Sequence, residues 1–217
     1  MSDRVNEAAS RLNAILMPVA KMRIETMGLE ESGAYNFYDV RVGHGTLFAD
    51  YELEIARRFD AMNDRPKIVH EIGVGWGQLS FLLSALGIST VALEADRRRY
   101  AAGAALHGVI TAASPAEAQH SQVLYEKFPS SDLDPRGALA LATNLVFTTS
   151  PAERRSIVAA LATYKTSIID VDRFLVHGKS VEERRSVIAE FESAGLKGEL
   201  FADLGDSACF YRFTGDS

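Results

Sequence analysis

Apolar and polar positions along this chain follow two rhythms, and their order predicts the architecture. Residues 3 to 28 carry apolar groups at Val5, Ala8, Leu12, Ile15, Val19 and Met22, steps of three and four that mark a helix with one narrow stripe. Pro18 should kink or split it. The stripe is expected to pack on its own domain, with a homodimer contact as the alternative. Asp50 is placed to cap a helix ending near Asn63, with Glu52 and Glu54 in its first turn. Beyond Pro66 short apolar runs alternate with amphipathic segments. Strands are predicted at Ile68–Ile72, up to Glu94, near Gln122–Glu126, at Ala138–Ala142 and at Ser167–Val171. Ala138 to Ala142 is apolar throughout, as a central parallel strand covered on both faces requires. Ser114-x-x-Glu117, Ser150-x-x-Glu153 and Ser180-x-x-Glu183 open helices as capping boxes, and Gly195 stops the last of them. A helix from Asp96 to Leu106 should break near Gly108. Strands near Glu199–Asp203 and Ala208–Phe213 close the chain as a hairpin. The alternation implies an α/β fold: a doubly wound, mostly parallel seven-stranded sheet with a carboxyl-terminal antiparallel hairpin and an amino-terminal helical cap.

The stretch Ile68 to Asp96 organises the rest. An apolar strand runs into Gly73, Gly75 and Gly77, then into a helix with Leu79, Leu82, Leu83 and Leu86 that Gly87 stops, and a second strand ends at Glu94. Glycines at alternate positions let main-chain N–H groups approach a ligand where a Cβ would collide with it. A nucleotide-like ligand is expected there. The dinucleotide fingerprint would need its third glycine at position 78, which is Gln78. Glu71, two residues before the first glycine, would also repel two phosphates and suits a cationic amine better.

Glu71-x-Gly73-x-Gly75-x-Gly77, followed by Glu94 at the next strand end, resembles the first two motifs of the class I, Rossmann-like S-adenosylmethionine-dependent methyltransferases. The resemblance is specific over residues 68 to 100, weaker from there to the end, and does not reach the first 60 or so. It implies S-adenosyl-L-methionine as cofactor, with Glu71 orienting the methionine amine, the glycine turn passing under methionine and ribose, and Glu94 holding the ribose hydroxyls. Ala95 and Asp96 would lie at the adenine edge. The sequence lacks the acidic residue usual in that family at the end of the third strand, which leaves that adenine contact unassigned. The resemblance divides the chain into a helical and aromatic cap and lid segment, residues 1–63, and a methyltransferase domain, residues 64–217.

Composition narrows the substrate. The chain has 217 residues, net charge −6 and 47% hydrophobic residues. That suffices for one α/β domain and supplies no basic field for a phosphate backbone, so nucleic acid is disfavoured. The single cysteine, Cys209, permits no intrachain disulfide and reads as a core thiol. No apolar run is long enough to span a bilayer, and the start lacks the apolar core of a signal peptide, so a soluble cytoplasmic protein is expected.

The activity expected is in-line methyl transfer to the oxygen or nitrogen of a small-molecule acceptor. Amino-methylase motifs such as Asn-Pro-Pro-Tyr are absent after the fourth strand, which continues Thr143-Asn144-Leu145-Val146, and no Pro-Cys pair supplies a nucleophile for cytosine. Tyr35, Tyr38 and His44, in an aromatic segment before the first strand, are candidates for the pocket, as is Asn144 at a strand end. His44, His177, Asp170 and Asp172 are candidate bases. Asp170 and Asp172 share a side of their strand end and might pair with Arg173 or hold a cation, but a metal needs more oxygen ligands than the sequence identifies. A non-catalytic S-adenosylmethionine-binding module and an NAD-type oxidoreductase stand as rival readings.

Overall fold

The computed structural model describes residues 3–27, 36–143, 145, 150–174 and 180–215. Three helices, α1 (Asp3–Met27), α2 (Asn36–Gly43) and α3 (Asp50–Ala61), precede the first strand. There follow β1 (Ile68–Ile72), α4 (Gln78–Ala85), β2 (Ser89–Glu94), α5 (Arg97–Ala113), the short α6 (Pro115–Ala118) and β3 (Ser121–Tyr125). The second half runs β4 (Ala138–Ala142), α7 (Pro151–Leu161), β5 (Thr166–Asp170), α8 (Val181–Ser193), β6 (Leu196–Asp203) and β7 (Cys209–Gly215). The strands form one seven-stranded sheet in the order β3-β2-β1-β4-β5-β7-β6, with β7 antiparallel to both of its neighbours. This is the doubly wound sheet with a closing hairpin that the pattern predicts.

Period-two alternation divides the core. Leu139 and Leu141 of β4 join Val69 and Ile168 beneath α1, α3, α4 and α5, whereas Ala138, Ala140 and Ala142 face the other way toward α7 and α8. Every residue of β4 is buried, as its unbroken apolar run requires. The order reverses between β1 and β4, so the carboxyl ends of those strands and of β2 open a crevice between the two layers of helices.

Local expectations fail where packing outweighs them. Helix α1 runs unsplit through Pro18. Its buried row is Val5, Ala8, Leu12, Leu16, Ala20 and Ile24, while Met22 is exposed and Ile15 and Val19 are only half-buried. From Ala8 onward the steps are i+4, the ridges of helices packed across one another, and they seat α1 on its own domain, against α3, α4 and α5. Helix α5 does not break at Gly108, because the row Ala102, Leu106, Ile110 stays buried on both sides of it. That burial exceeds the roughly 1 kcal/mol a mid-helix glycine costs. Ser114 makes no side-chain cap, since Glu117 turns instead to Arg11 of α1. Helix α3 starts at Asp50, so the cap residue is Ala49, whose N–H donates to the Glu52 carboxylate at 2.7 Å. The boxes at Ser150/Glu153 and Ser180/Glu183 form as expected.

Candidate functional site

The crevice is built on the turn between β1 and α4. Gly73, Gly75 and Gly77 have φ of 71°, 62° and 79°, the left-handed region that explains glycine at each. Gly73 and Val74 donate their N–H groups to the Leu93 carbonyl at 2.9 and 3.2 Å, which ties the turn to β2. The Glu94 carboxylate lies beneath it, accepting from Gly75 N–H at 2.7 Å and from Asp96 N–H at 2.8 Å. Glu94 is fully buried, and burial raises its pKa while the two N–H donors lower it. Each oxygen thus accepts one backbone N–H and keeps a second acceptor site.

Helix α2 covers the turn with one residue. The Tyr38 ring stacks on Trp76 at 4.1 Å between centroids and 6° between planes, and its hydroxyl accepts from Trp76 N–H at 3.1 Å. A Cβ at Gly75 would overlap that hydroxyl and stand 3.2 Å from the Tyr38 Cζ. The slit left between Tyr38, Arg41, Tyr51, Gly73, Gly75, Gln78 and Thr143 has a volume of only about 10 Å³. Gln78 is buried there, and among the described residues its Nε2 has no hydrogen-bond partner. An unpaired buried amide costs on the order of 1–3 kcal/mol, so this one points to a group the slit is shaped to receive.

Gly73 also lines a second hollow, of about 230 Å³, at the carboxyl ends of β1, β2 and β3. Its walls are Ile72, Leu93, Ala95, Phe128, Leu145 and Ile157, and its rim is Glu126, Lys127 and Glu153. Apolar walls with a polar rim suit a flat heterocycle. Glu126 follows β3 directly, donates its N–H to the Glu94 carbonyl at 3.1 Å and lines this hollow. An acidic residue thus stands at the end of the third strand, where the sequence is expected to have none.

Glu71 is buried under the turn. Ser80 donates to its Oε2 at 2.5 Å, Thr143 also bonds it, and burial pushes its pKa up to about 8. Asp170 is buried as well, its Oδ1 accepting from Asp172 N–H at 3.1 Å and Cys209 N–H at 3.3 Å. Its Oδ2 has no hydrogen bond among the described residues, with Arg173 at 4.0 Å, and burial pushes the pKa up to about 7. Asp172 points elsewhere. Arg184 of α8 grips both its oxygens, at 2.5 and 2.8 Å, so the expected pair of like-facing carboxylates does not form. Cys209 is buried and its thiol pKa is raised to about 11, in keeping with a core position.

A polar cavity of about 690 Å³ adjoins the slit and shares Arg41 and Tyr51 with it. His44 is exposed at its edge and Arg173 lines it. Arg41 and Arg173 both lie over the Tyr51 ring, at 5.8 and 5.5 Å from its centroid, and Arg41 pairs with buried Glu52 at 3.5 Å. Tyr35, Asn144 and His177 lie outside the described residues. The crevice thus gathers Gly73, Gly75, Tyr38 and Ala95, with Gly77 and Glu94 just behind, while His44 lines the polar cavity and Asp170 lies buried, reaching that cavity only through Arg173. Gln78, Arg41, Glu52, Phe128 and Leu145 were missed. Only Gln78 carried a signal, being the polar residue where the dinucleotide pattern wants glycine.

No family model matches the chain, and no curated protein matches it. Solved structures do. The glycopeptide N-methyltransferase MtfA complexed with S-adenosyl-L-methionine is similar at 14% identity and a TM-score of 0.58, over 76% of this chain and 87% of that one. The precorrin-6y C5,15-methyltransferase from Geobacter metallireducens is similar at 12% identity and a TM-score of 0.53, over 79% and 90%. The mitomycin 7-O-methyltransferase MmcR is similar at 14% identity and a TM-score of 0.55, over 87% and 59%. At these identities the likeness concerns the fold, which is that of the class I S-adenosylmethionine-dependent methyltransferases.

Proposed function

We propose that the protein is an S-adenosylmethionine-dependent methyltransferase acting on the oxygen or nitrogen of a polar small molecule. The observation that carries this reading is the crevice itself. An apolar hollow fit for a nucleobase meets, at Gly73, a slit with an orphaned buried amide and a turn of three positive-φ glycines. The glycopeptide, precorrin and mitomycin enzymes of the same fold support it from outside.

In this reading Ile72, Leu93, Ala95, Phe128 and Leu145 take the adenine, with Glu126 at its edge. Glu94 turns to the ribose hydroxyls, and Gln78 and Arg41 face the amino-acid end, above Glu71. When bound, the cofactor supplies an activated methyl group, so the protein mainly aligns the acceptor and excludes water. Arg41, Tyr51 and Arg173 wall the acceptor cavity. Asp170, with one oxygen unbonded and a pKa near neutrality, is the base we assign, with His44 second. Asp172, held by Arg184, is left a structural part.

Calorimetry with S-adenosylmethionine, S-adenosylhomocysteine and NAD tests the cofactor. Preference for NAD would overturn the reading in favour of an oxidoreductase. Incubation with labelled S-adenosylmethionine and polar amine or hydroxyl acceptors tests the reaction. Tight binding without transfer to any acceptor would favour a non-catalytic binding module.

A further inference from the structure

The residue expected to line a bound ligand sits where the ligand should be. Tyr38 is buried at 3% exposure, parallel to the Trp76 ring, with its hydroxyl on a turn N–H and against the open side of Gly75. A glycine turn is useful to a nucleoside because it lacks side chains. Here the missing Cβ at Gly75 is replaced by the chain's own phenol, and about 10 Å³ remains over the turn. That is about the space of one water and far below any part of a nucleoside.

We propose that Tyr38 is a resident occupant of the cofactor seat, and that the cofactor gains the seat only by evicting it. The proposal rests on the cofactor reading above. Its physical basis is competition for the same surface: the phenol and a nucleoside cannot both lie over Gly75. The structural setting allows withdrawal. Tyr38 belongs to α2, an eight-residue helix. The carboxyl end of α2 is tied to the following segment by His44 N–H to the Val40 carbonyl, Gly45 N–H to Val42 and Thr46 N–H to Arg41, at 3.0, 3.0 and 3.1 Å, and Asn13 holds that segment to α1, donating to the Gly45 carbonyl at 2.8 Å and accepting from Leu47 N–H at 2.9 Å. Withdrawal of the phenol is therefore a rotation of the Tyr38 side chain, or a tilt of α2 about this anchored end. Burial pushes the Tyr38 pKa upward, so the hydroxyl is neutral and cannot be expelled by ionising near neutral pH.

Among the contacts that hold the closed arrangement are the Trp76 stack and the hydrogen bond to the turn, and these two alone favour it by at least about tenfold. A ligand restricted to the open form has its apparent Kd raised by the same factor. The sign of the effect separates two roles. An occupant weakens binding when present. A residue that only contacts the bound cofactor strengthens it.

The test titrates S-adenosylhomocysteine into the full chain and the variants Tyr38→Ala and Tyr38→Phe by calorimetry, with circular dichroism to confirm folding. Trp76 is the only tryptophan in the chain, is fully buried and touches Tyr38, so its acrylamide quenching reports the contact without any ligand. Tyr38→Ala should bind about tenfold tighter and expose Trp76 to quencher. Tyr38→Phe, which keeps the ring and loses the hydroxyl bond, should bind a few times tighter even if the alanine variant folds poorly. In the unmodified chain, added S-adenosylhomocysteine should change Trp76 emission as the phenol leaves. Equal or weaker binding by both variants would overturn the occupant and leave the cofactor reading standing. No binding by any of the three proteins would overturn the cofactor reading, and the occupant with it.

Discussion

Whether Tyr38 covers Gly75 in solution can be asked without any ligand, through Gly75→Ala. The substitution does two separable things. It places a Cβ on a residue at φ 62°, a left-handed conformation costing about 1–2 kcal/mol for a side-chain-bearing residue. It also drives that Cβ into the Tyr38 hydroxyl, where the nearest ring carbon already lies 3.2 Å away, so the phenol must leave Trp76. Leaving forfeits at least the Trp76 hydrogen bond, about 1 kcal/mol net, and the stack on Trp76, about another 1 kcal/mol. The total is at least about 3–4 kcal/mol in the original chain. In a Tyr38→Ala background only the backbone strain remains, about 1–2 kcal/mol, so the double-mutant cycle should show a coupling near 2 kcal/mol. Urea denaturation followed by circular dichroism measures all four corners, with equal slopes confirming that the same surface is exposed in each. If Gly75→Ala costs the same in both backgrounds to within about 0.5 kcal/mol, the ring does not lie over the turn and the seat is open.

The remaining predictions address other parts of the crevice. Glu94→Ala should lose about 1.5–3 kcal/mol of cofactor affinity by removing charge-assisted hydrogen bonds, and should also destabilise the fold because Gly75 and Asp96 lose an acceptor; unchanged affinity in calorimetry would mean that Glu94 does not face the ligand. Asp170 keeps its proton in the folded chain up to about pH 7 but releases it near pH 4 when unfolded, so the folded state binds more protons between those values and stability falls as pH rises through that window. Asp170→Asn removes the contribution, and its urea midpoint should gain on the original chain from pH 4 to 7; parallel profiles would show that Asp170 is already ionised. Arg184→Met should cost about 3 kcal/mol by leaving Asp172 buried without its partner, while turnover per folded molecule stays unchanged; a selective loss of turnover would return Asp172 to the catalytic candidates.

The fold was readable because its signals are local and repeated. Short apolar runs at β1 and β4, positive-φ glycines after β1 and two true capping boxes place most of the sheet with no long-range information. The failures share one cause. Gly108 and Ser114 each carry a local preference worth about 1 kcal/mol and Pro18 one of about 3 kcal/mol, and each is opposed by contacts between residues far apart in sequence. The Arg11–Glu117 pair, which draws Glu117 away from Ser114, spans 106 positions. The i+4 row of α1 likewise answers to α3, α4 and α5, which the helix's own sequence does not contain.

The site divides along the same line. Glu71, Gly73, Gly75, Gly77 and Glu94 follow from spacing within 24 residues, and the structure sets all five around one turn. What spacing conveys is that the turn must stay free of side chains, not what covers it. Tyr38 lies 37 positions before Gly75, and its aromatic character predicts a ring near the pocket without choosing between a wall and a stopper. Asp170 and Asp172 show the same limit. Alternation places them on one side of an ideal strand, yet β5 ends at Asp170, so Asp172 lies in the turn beyond it and finds Arg184. Two carboxylates that looked equivalent become one buried, half-bonded acid and one closed ion pair. Burial raises the pKa of the acid left with an unbonded oxygen toward neutrality, while the acid closed in an ion pair has its charge matched, so the pH profile of Asp170→Asn tells apart two carboxylates that spacing alone could not.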